Sequence, residues 1–232
     1  MSASDWPSYT PVADHALLVS FADAISDEAN AAVIALDRAL AASAPPGLLE
    51  CVPAFVSLLI DFDPLVTDHA RMKEQVERLR STIAPAPIDG RRREIEVCYE
   101  ALCPDLPAVA KASALSIDEV INCHLQGDYR VRMVGFAPGY AYLSGVPSRI
   151  QVPRKAAALR DVPDGAVLIA GPQCLVTTLK MPTGWSIIGR SPTPILQRDQ
   201  DVCFLLDVGD TVRFKRIDLA QYDARRAARR HA

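Results

Sequence analysis

The sequence predicts an α+β protein in two domains, a small split α/β domain over residues 1–90 and a closed β domain over residues 91–232. Three observations carry this prediction. Strand and helix periodicities alternate through the first ninety residues. Only Gly47 and Gly90 of the 11 glycines precede residue 127; the rest fall between Gly127 and Gly209, where short β runs are separated by Gly and Pro turns. Between the two regimes, Pro85-Ala86-Pro87-Ile88-Asp89-Gly90-Arg91-Arg92-Arg93 reads as an exposed, solvated linker.

In the first domain, Ala16 to Phe21 is a short apolar run with polar flanks and reads as a strand. Ser26 is the candidate cap of a helix in which Ala29, Val33, Leu36 and Leu40 recur at helical spacing, and Ala44-Pro45-Pro46-Gly47 stops it. Leu48 to Val52 and Phe55 to Phe62 read as two strands around Pro53. Met72, Val76, Leu79 and Ile83 mark a second amphipathic helix, capped by Thr67 or Asp68. The order β-α-β-β-α matches most of a ferredoxin-like split unit.

In the second domain, Glu94 to Tyr99 is the opening strand. Asp105 is the candidate cap of a short helix, and Ser116 with Glu119 has capping-box spacing. Tyr129, Val131 and Met133 alternate with Arg130 and Arg132, and short strands follow at Ala166–Ala170, Leu175–Leu179, Ser186–Ile188 and Thr211–Phe214. Many short strands imply a closed barrel or a sandwich, because an open sheet leaves unpaired edges. The Ala- and Arg-rich end, Arg225 to Arg230, reads as a frayed solvated tail.

Composition excludes several classes. A net charge of −3 argues against broad nucleic-acid binding. The chain has no apolar run of membrane-spanning length and no signal-peptide pattern, so a cytoplasmic protein is expected. The six cysteines form no CxxC pair and read as reduced, buried thiols, and the four histidines lack metal spacing; no metal site is expected. Phosphate-binding loops, dinucleotide fingerprints and nucleophile elbows are missing from the sequence.

The informative stretch is Gly135-Phe136-Ala137-Pro138-Gly139-Tyr140-Ala141-Tyr142-Leu143. Its glycines around Pro138 describe an ordered loop, and Phe136, Tyr140 and Tyr142 either wall a pocket or pack a barrel corner. Arg154, after Val152-Pro153, and Arg190, closing Gly184-Trp185-Ser186-Ile187-Ile188-Gly189-Arg190, stand beside rigid turns. They serve either as bidentate anion contacts or as surface ion pairs.

With these residues the chain resembles the family of bacterial 5-oxoprolinase B-type subunits, which includes the sporulation kinase inhibitor KipI and allophanate hydrolase subunit 1. The resemblance rests on Gly47 to Leu58 with Asp63-Pro64, Ser116 to His124 and Tyr129 to Leu143. It continues through Gln151 to Arg154, Val162-Pro163-Asp164-Gly165, Trp185 to Arg190 and Gly209 to Phe214. It implies a cyclophilin-like β-barrel for the second domain, a C-type (KipA-like) partner subunit of related barrel architecture and a third, A-type subunit. The implied activity is ATP-dependent opening of 5-oxo-L-proline to L-glutamate, with ATP and Mg2+ used by the complex. Phosphorylating the carbonyl oxygen of a lactam needs cations and a shaped pocket but no side-chain nucleophile, in keeping with the missing motifs.

On this resemblance Arg154, Arg190 and His124 are the candidate catalytic residues, His124 being equally readable as structural. Phe136, Pro138, Gly139, Tyr142, Gln173 and Trp185 are the candidate substrate or nucleotide contacts. The chain departs from the family's glycine-rich runs at Gly171-Pro172-Gln173-Cys174-Leu175 and at Met181-Pro182-Thr183-Gly184-Trp185. It also has Ala158-Leu159 where a Pro-Arg pair is usual. These departures imply altered substrate choice or lost turnover. Three classes are therefore open: an enzyme subunit, a KipI-like histidine kinase inhibitor and an inactive ligand-binding paralogue.

Overall fold

The structure is a computed structural model that describes residues 6–83, 90–100, 103–197 and 203–230. The chain divides into two compact units, Met1–Ile88 and Asp89–Ala232.

The first unit begins with an unanticipated strand, β1 (Ser8–Val12), which pairs antiparallel with β2 (Ala16–Ser20). Helix α1 (Asp27–Ser43) follows, with the Ser26 hydroxyl accepting from the Ala29 N–H at 3.1 Å and Ala44 ending it in the left-handed region. Strands β3 (Leu48–Pro53) and β4 (Ser57–Phe62) precede helix α2 (His69–Thr82), capped by Asp68. The sheet order is β1-β2-β4-β3 with antiparallel neighbours, so β4 lies between the parallel strands β2 and β3. This is the split arrangement expected. The edge strand beside β2, which a ferredoxin-like chain supplies after its second helix, comes here from the N-terminus through a hairpin. Leu17, Val19, Leu58, Ile60 and Phe62 project from one sheet face onto Val33, Leu36 and Leu40 of α1 and Met72 and Val76 of α2. The period of two in the strands and of 3.6 in the helices thus meet in one apolar layer.

The second unit holds strands β5 (Arg92–Cys98), β6 (Tyr129–Val134), β7 (Ala141–Ser144), β8 (Leu159–Val162), β9 (Ala166–Ala170), β10 (Gln173–Val176), β11 (Met181–Thr183), β12 (Ser186–Arg190) and β13 (Thr211–Ile217). Helices α3 (Leu106–Ala112), α4 (Ile117–Leu125) and α5 (Leu219–Arg230) complete it. Seven strands close a barrel in the order β10-β7-β6-β13-β5-β12-β9, with β5 and β13 parallel over Arg92–Cys98 and Thr211–Ile217. Closure leaves no sheet edge to cover. Of the two architectures left open by the sequence, the barrel is the one present.

Two apolar layers account for the strand sequences. Ile95, Val97, Val131, Leu143, Val167, Ile169, Val176, Ile188 and Phe214 fill the barrel, joined by Val109 of α3 and Val120 and Ile121 of α4. On the outside of the wall, Ala166, Leu168 and Ala170 join Leu175, Trp185, Ile187, Tyr140 and Val162 in a second cluster, beside the two-stranded ribbon of β8 and β11. Every residue of β9 is buried for this reason, so its sequence is continuously apolar rather than alternating.

Several expectations need correction. Arg92 and Arg93 are not linker but ladder residues of β5, and Arg93 Nε donates to Asp210 Oδ2 at 3.2 Å. Of the expected linker Pro85 to Arg93, residues 85–89 lie outside the described residues. The C-terminal tail is helical: α5 is held by Arg225 Nε to Glu96 Oε2 at 2.9 Å and Arg226 Nη1 to Asp164 Oδ2 at 2.8 Å. Asp105 occupies the N-cap of α3 without a side-chain cap bond; its carboxylate accepts from Lys155 Nζ at 2.6 Å and from the Ile187 N–H at 2.7 Å. The capping box of Ser116 and Glu119 forms in both directions. All six cysteines are free, but only Cys98 and Cys174 are buried; Cys51, Cys103 and Cys123 are half-buried and Cys203 is exposed.

Candidate functional site

A cleft of about 270 Å³ opens on the outer apolar layer of the barrel wall. Leu168 of β9 and Leu175 of β10 line it, Tyr140 and Tyr142 border it from β7 and the turn before it, and Pro182, Thr183 and Trp185 border it from β11 and beyond. Tyr142 and Trp185 meet edge to face, with ring centroids 6.0 Å apart. The guanidinium of Arg154 stands 5.5 Å from the Trp185 ring centroid. An arginine at this distance is attracted by the negative face of the ring. Arg154 is exposed and makes no ion pair among the described residues. The cleft therefore combines an apolar floor, two phenols, an indole and one uncommitted cation.

The local sequence explains this geometry. β6 and β7 form a hairpin in which Gly135 N–H donates to the Tyr140 carbonyl and Tyr140 N–H to the Ala137 carbonyl. Gly139 has φ +72°, and a Cβ there would lie 3.0 Å from Leu196 Cδ2. Phe136 also has positive φ (73°) and is 79% exposed, a strained aromatic at the mouth of the cleft. The Pro138 carbonyl accepts from Thr178 Oγ1 at 2.7 Å, which fastens the loop. On the other side, Thr183 Oγ1 accepts from the Trp185 N–H at 3.1 Å, and Lys155 N–H donates to the Gly184 carbonyl at 2.7 Å, holding the Arg154 segment against Trp185. Burial pushes the Tyr140 hydroxyl up to about 12. Burial also raises Tyr142, against the opposing charge of Arg154. Both phenols remain neutral hydrogen-bond donors near pH 7.

Of the residues expected from the sequence, Phe136, Tyr142, Arg154 and Trp185 come together here. Pro138 and Gly139 belong to the supporting turn. Gln173 begins β10, paired with Ser144 and Ala170, and does not line the cleft. Arg190 lines a separate pocket, where its Nη2 donates to the Asp164 carbonyl at 2.9 Å. His124 lies in the barrel interior and is fully buried. Its Nδ1 is 2.7 Å from Tyr99 Oη and its Nε2 3.7 Å from Cys174 Sγ, and it packs on Tyr129 and Phe214. Desolvation lowers its pKa to about 3, so it is a neutral imidazole within the core. Leu168, Leu175 and Thr183 were not anticipated as lining; the unbroken apolar run of β9 was the signal that something covers the wall's outer face. Among the described residues, no group of three or more His, Cys, Asp or Glu is placed to hold a metal ion, and no helix is long and apolar enough to cross a membrane.

The split α/β unit followed by a closed barrel is a carboxyltransferase-like fold. The chain belongs to the family described as carboxyltransferase domain, subdomain C and D, whose model matches residues 7–206, and with it to the family of 5-oxoprolinase B-type subunits. It is 36% identical over 223 residues to the B-type subunit of 5-oxoprolinase from Bacillus subtilis, covering 91% of this chain and 93% of that protein. The crystal structure of TTHA0988 superposes with a TM-score of 0.78 at 34% identity, covering 88% of this chain. This chain spans 40% of the length of that one. Urea amidolyase of K. lactis has the same fold, with a TM-score of 0.78 at 15% identity over 93% of this chain and 15% of its own.

Proposed function

We propose that the chain is the B-type component of an ATP-dependent 5-oxoprolinase complex, working with a C-type subunit of related barrel architecture and an A-type subunit. Its cleft holds the lactam substrate while the carbonyl oxygen is activated by phosphorylation for ring opening to L-glutamate. The observation that supports this best is the unpaired Arg154 guanidinium over Trp185. A small planar ring bearing a carboxylate needs a flat apolar surface and one cation at its edge, and the cleft offers both. Arg154 binds the carboxylate, Trp185 and Tyr142 orient the ring, and Leu168 and Leu175 exclude water from beneath it. ATP and Mg2+ enter at the level of the complex. Lacking a carboxylate cage among the described residues, the chain is assigned no step through the ion.

The names of the relatives support the reading, since they are B-type components of 5-oxoprolinase in three bacterial species. The test is reconstitution with the C-type and A-type subunits, followed by ATP hydrolysis measured with and without 5-oxo-L-proline. Stimulation by the lactam is expected, and its loss on Arg154→Ala in an intact complex. An assembled complex without stimulation rejects the reading.

A further inference from the structure

The barrel wall carries a second pocket, of about 550 Å³, bordered by β8 rather than β11 and floored by Ala166 and Ile187. Arg190 lines it and is 5% exposed, and its Nε has no hydrogen-bond partner among the described residues. A buried guanidinium N–H left unpaired in an apolar wall is costly, which sets the position apart from an ordinary structural arginine. The surrounding charge is also unbalanced. The Asp164 carboxylate is already engaged by Arg226, at 2.8 and 3.4 Å, and by Arg229 at 3.6 Å. Arg190 reaches only the carbonyl of the same residue. Burial raises Asp164, but the Arg226 bonds and the charges of Arg226, Arg229 and Arg190 outweigh it and hold the carboxyl below its ordinary value.

Around Asp164, then, stand three guanidinium groups, two on its carboxylate and Arg190 on its carbonyl. Arg160 of β8 lines the same pocket, exposed and without an ion pair among the described residues. Of the acidic groups on the lining, Asp161 is taken by Lys180 at 2.8 Å and Glu100 is exposed.

We infer that this pocket is an oxyanion-binding site, distinct from the aromatic cleft, in which Arg190 and Arg160 together take a phosphate or a carboxylate. Arg190 supplies a fixed, buried positive charge in the wall, and Arg160 closes from the solvent side. The site does not depend on the proposed lactam chemistry.

Isothermal titration of the full chain with inorganic phosphate, and separately with acetate, tests it without partner subunits or turnover. Saturable binding of at least one anion is expected, weakening with added salt. Phosphate alone identifies a phosphoryl site; acetate binding at comparable strength identifies a carboxylate site. Arg190→Gln lowers the affinity by roughly tenfold, through loss of the buried charge behind the pocket, and Arg160→Ala also weakens it. Both titrations are made in the Arg154→Ala background, so that the cation of the aromatic cleft contributes no anion binding. Should Arg190→Gln not fold, Arg160→Glu decides: binding must be lost. Absence of saturable binding by either anion, or affinity undiminished in the Arg160 variants, overturns the inference. Failure of lactam-stimulated ATP hydrolysis leaves it standing.

Discussion

Arg154 and Trp185 show how a few atoms define the cleft. The side chain is exposed, so removing it changes no core packing, and its planar, delocalised cation is what a lysine cannot copy. Arg154→Ala is expected to lower kcat/KM for 5-oxo-L-proline in the reconstituted complex by roughly ten- to a hundredfold. Stability to urea should stay within about 0.5 kcal/mol of the parent. Arg154→Lys should fall between the two in kcat/KM. Leu175 poses the opposite case. It is 3% exposed on the cleft floor, at one of the positions where the sequence departs from the family's glycines. Leu175→Ala is expected to cost about 2–5 kcal/mol in urea unfolding, since the cavity it leaves is bounded by barrel strands that relax little. Its phenotype therefore separates from that of Arg154 by stability alone.

The elements that position these side chains depend on a few ties between distant segments. Asp105 ahead of α3 receives both Lys155 and the Ile187 N–H, joining the Arg154 segment to β12. Asp105→Asn weakens the first bond and is expected to raise KM with little change in kcat, read from lactam-dependent ATPase kinetics. At the other end of the wall, the turn before β9 requires Gly165. Its φ is +77°, and a Cβ would lie 2.3 Å from the Ser191 carbonyl oxygen. Helix α5 grips the same turn through Arg226 and Asp164, a bidentate and partly buried pair. Arg226→Ala should lower unfolding stability by about 1 kcal/mol, measured in urea at low salt. An arginine-rich tail becomes a helix here because its carboxylate partners, Glu96 and Asp164, are remote in sequence. No local pattern announces them.

For the barrel unit as a whole, the buried His124 sets an acid limit. Its pKa is lowered to about 3 in the folded state by desolvation, against the ordinary 6.5 once unfolded. Below about pH 6.5 the unfolded chain takes up a proton that the folded chain refuses. Stability contributed by the neutral imidazole is therefore complete above that pH and lost as pH falls toward 3, at up to about 1.4 kcal/mol per pH unit. Urea unfolding followed between pH 7 and 4 should show this slope, and His124→Gln should flatten it. An unchanged slope in that variant would assign the acid limb to carboxylates instead.

Much of this architecture was legible in the sequence. The Ser26 cap, the narrowing of the α2 cap to Thr67 or Asp68, the Ser116 capping box, the run Ala166–Ala170 and the turn-rich second half all reflect local propensity and periodicity, which nearby residues determine. The strand Ser8–Val12 was not legible because Pro11 and its exposed, mixed residues carry no apolar alternation; pairing with β2 makes it a strand. At the site, Phe136, Tyr142, Arg154 and Trp185 were readable as aromatics and a cation beside rigid turns. Their convergence was not, because it depends on β7, β10 and β12 becoming close in one closed wall. The sequence by itself thus determined most element types, the two-part organisation and the aromatic and arginine blocks beside rigid turns. Only the tertiary structure decided that His124 faces the core, that Arg154 and Arg190 belong to different pockets, and that Leu175 lines the cleft. Barrel closure assigns each position on a strand to the interior or the outer wall, and that assignment depends on pairing partners scores of residues away.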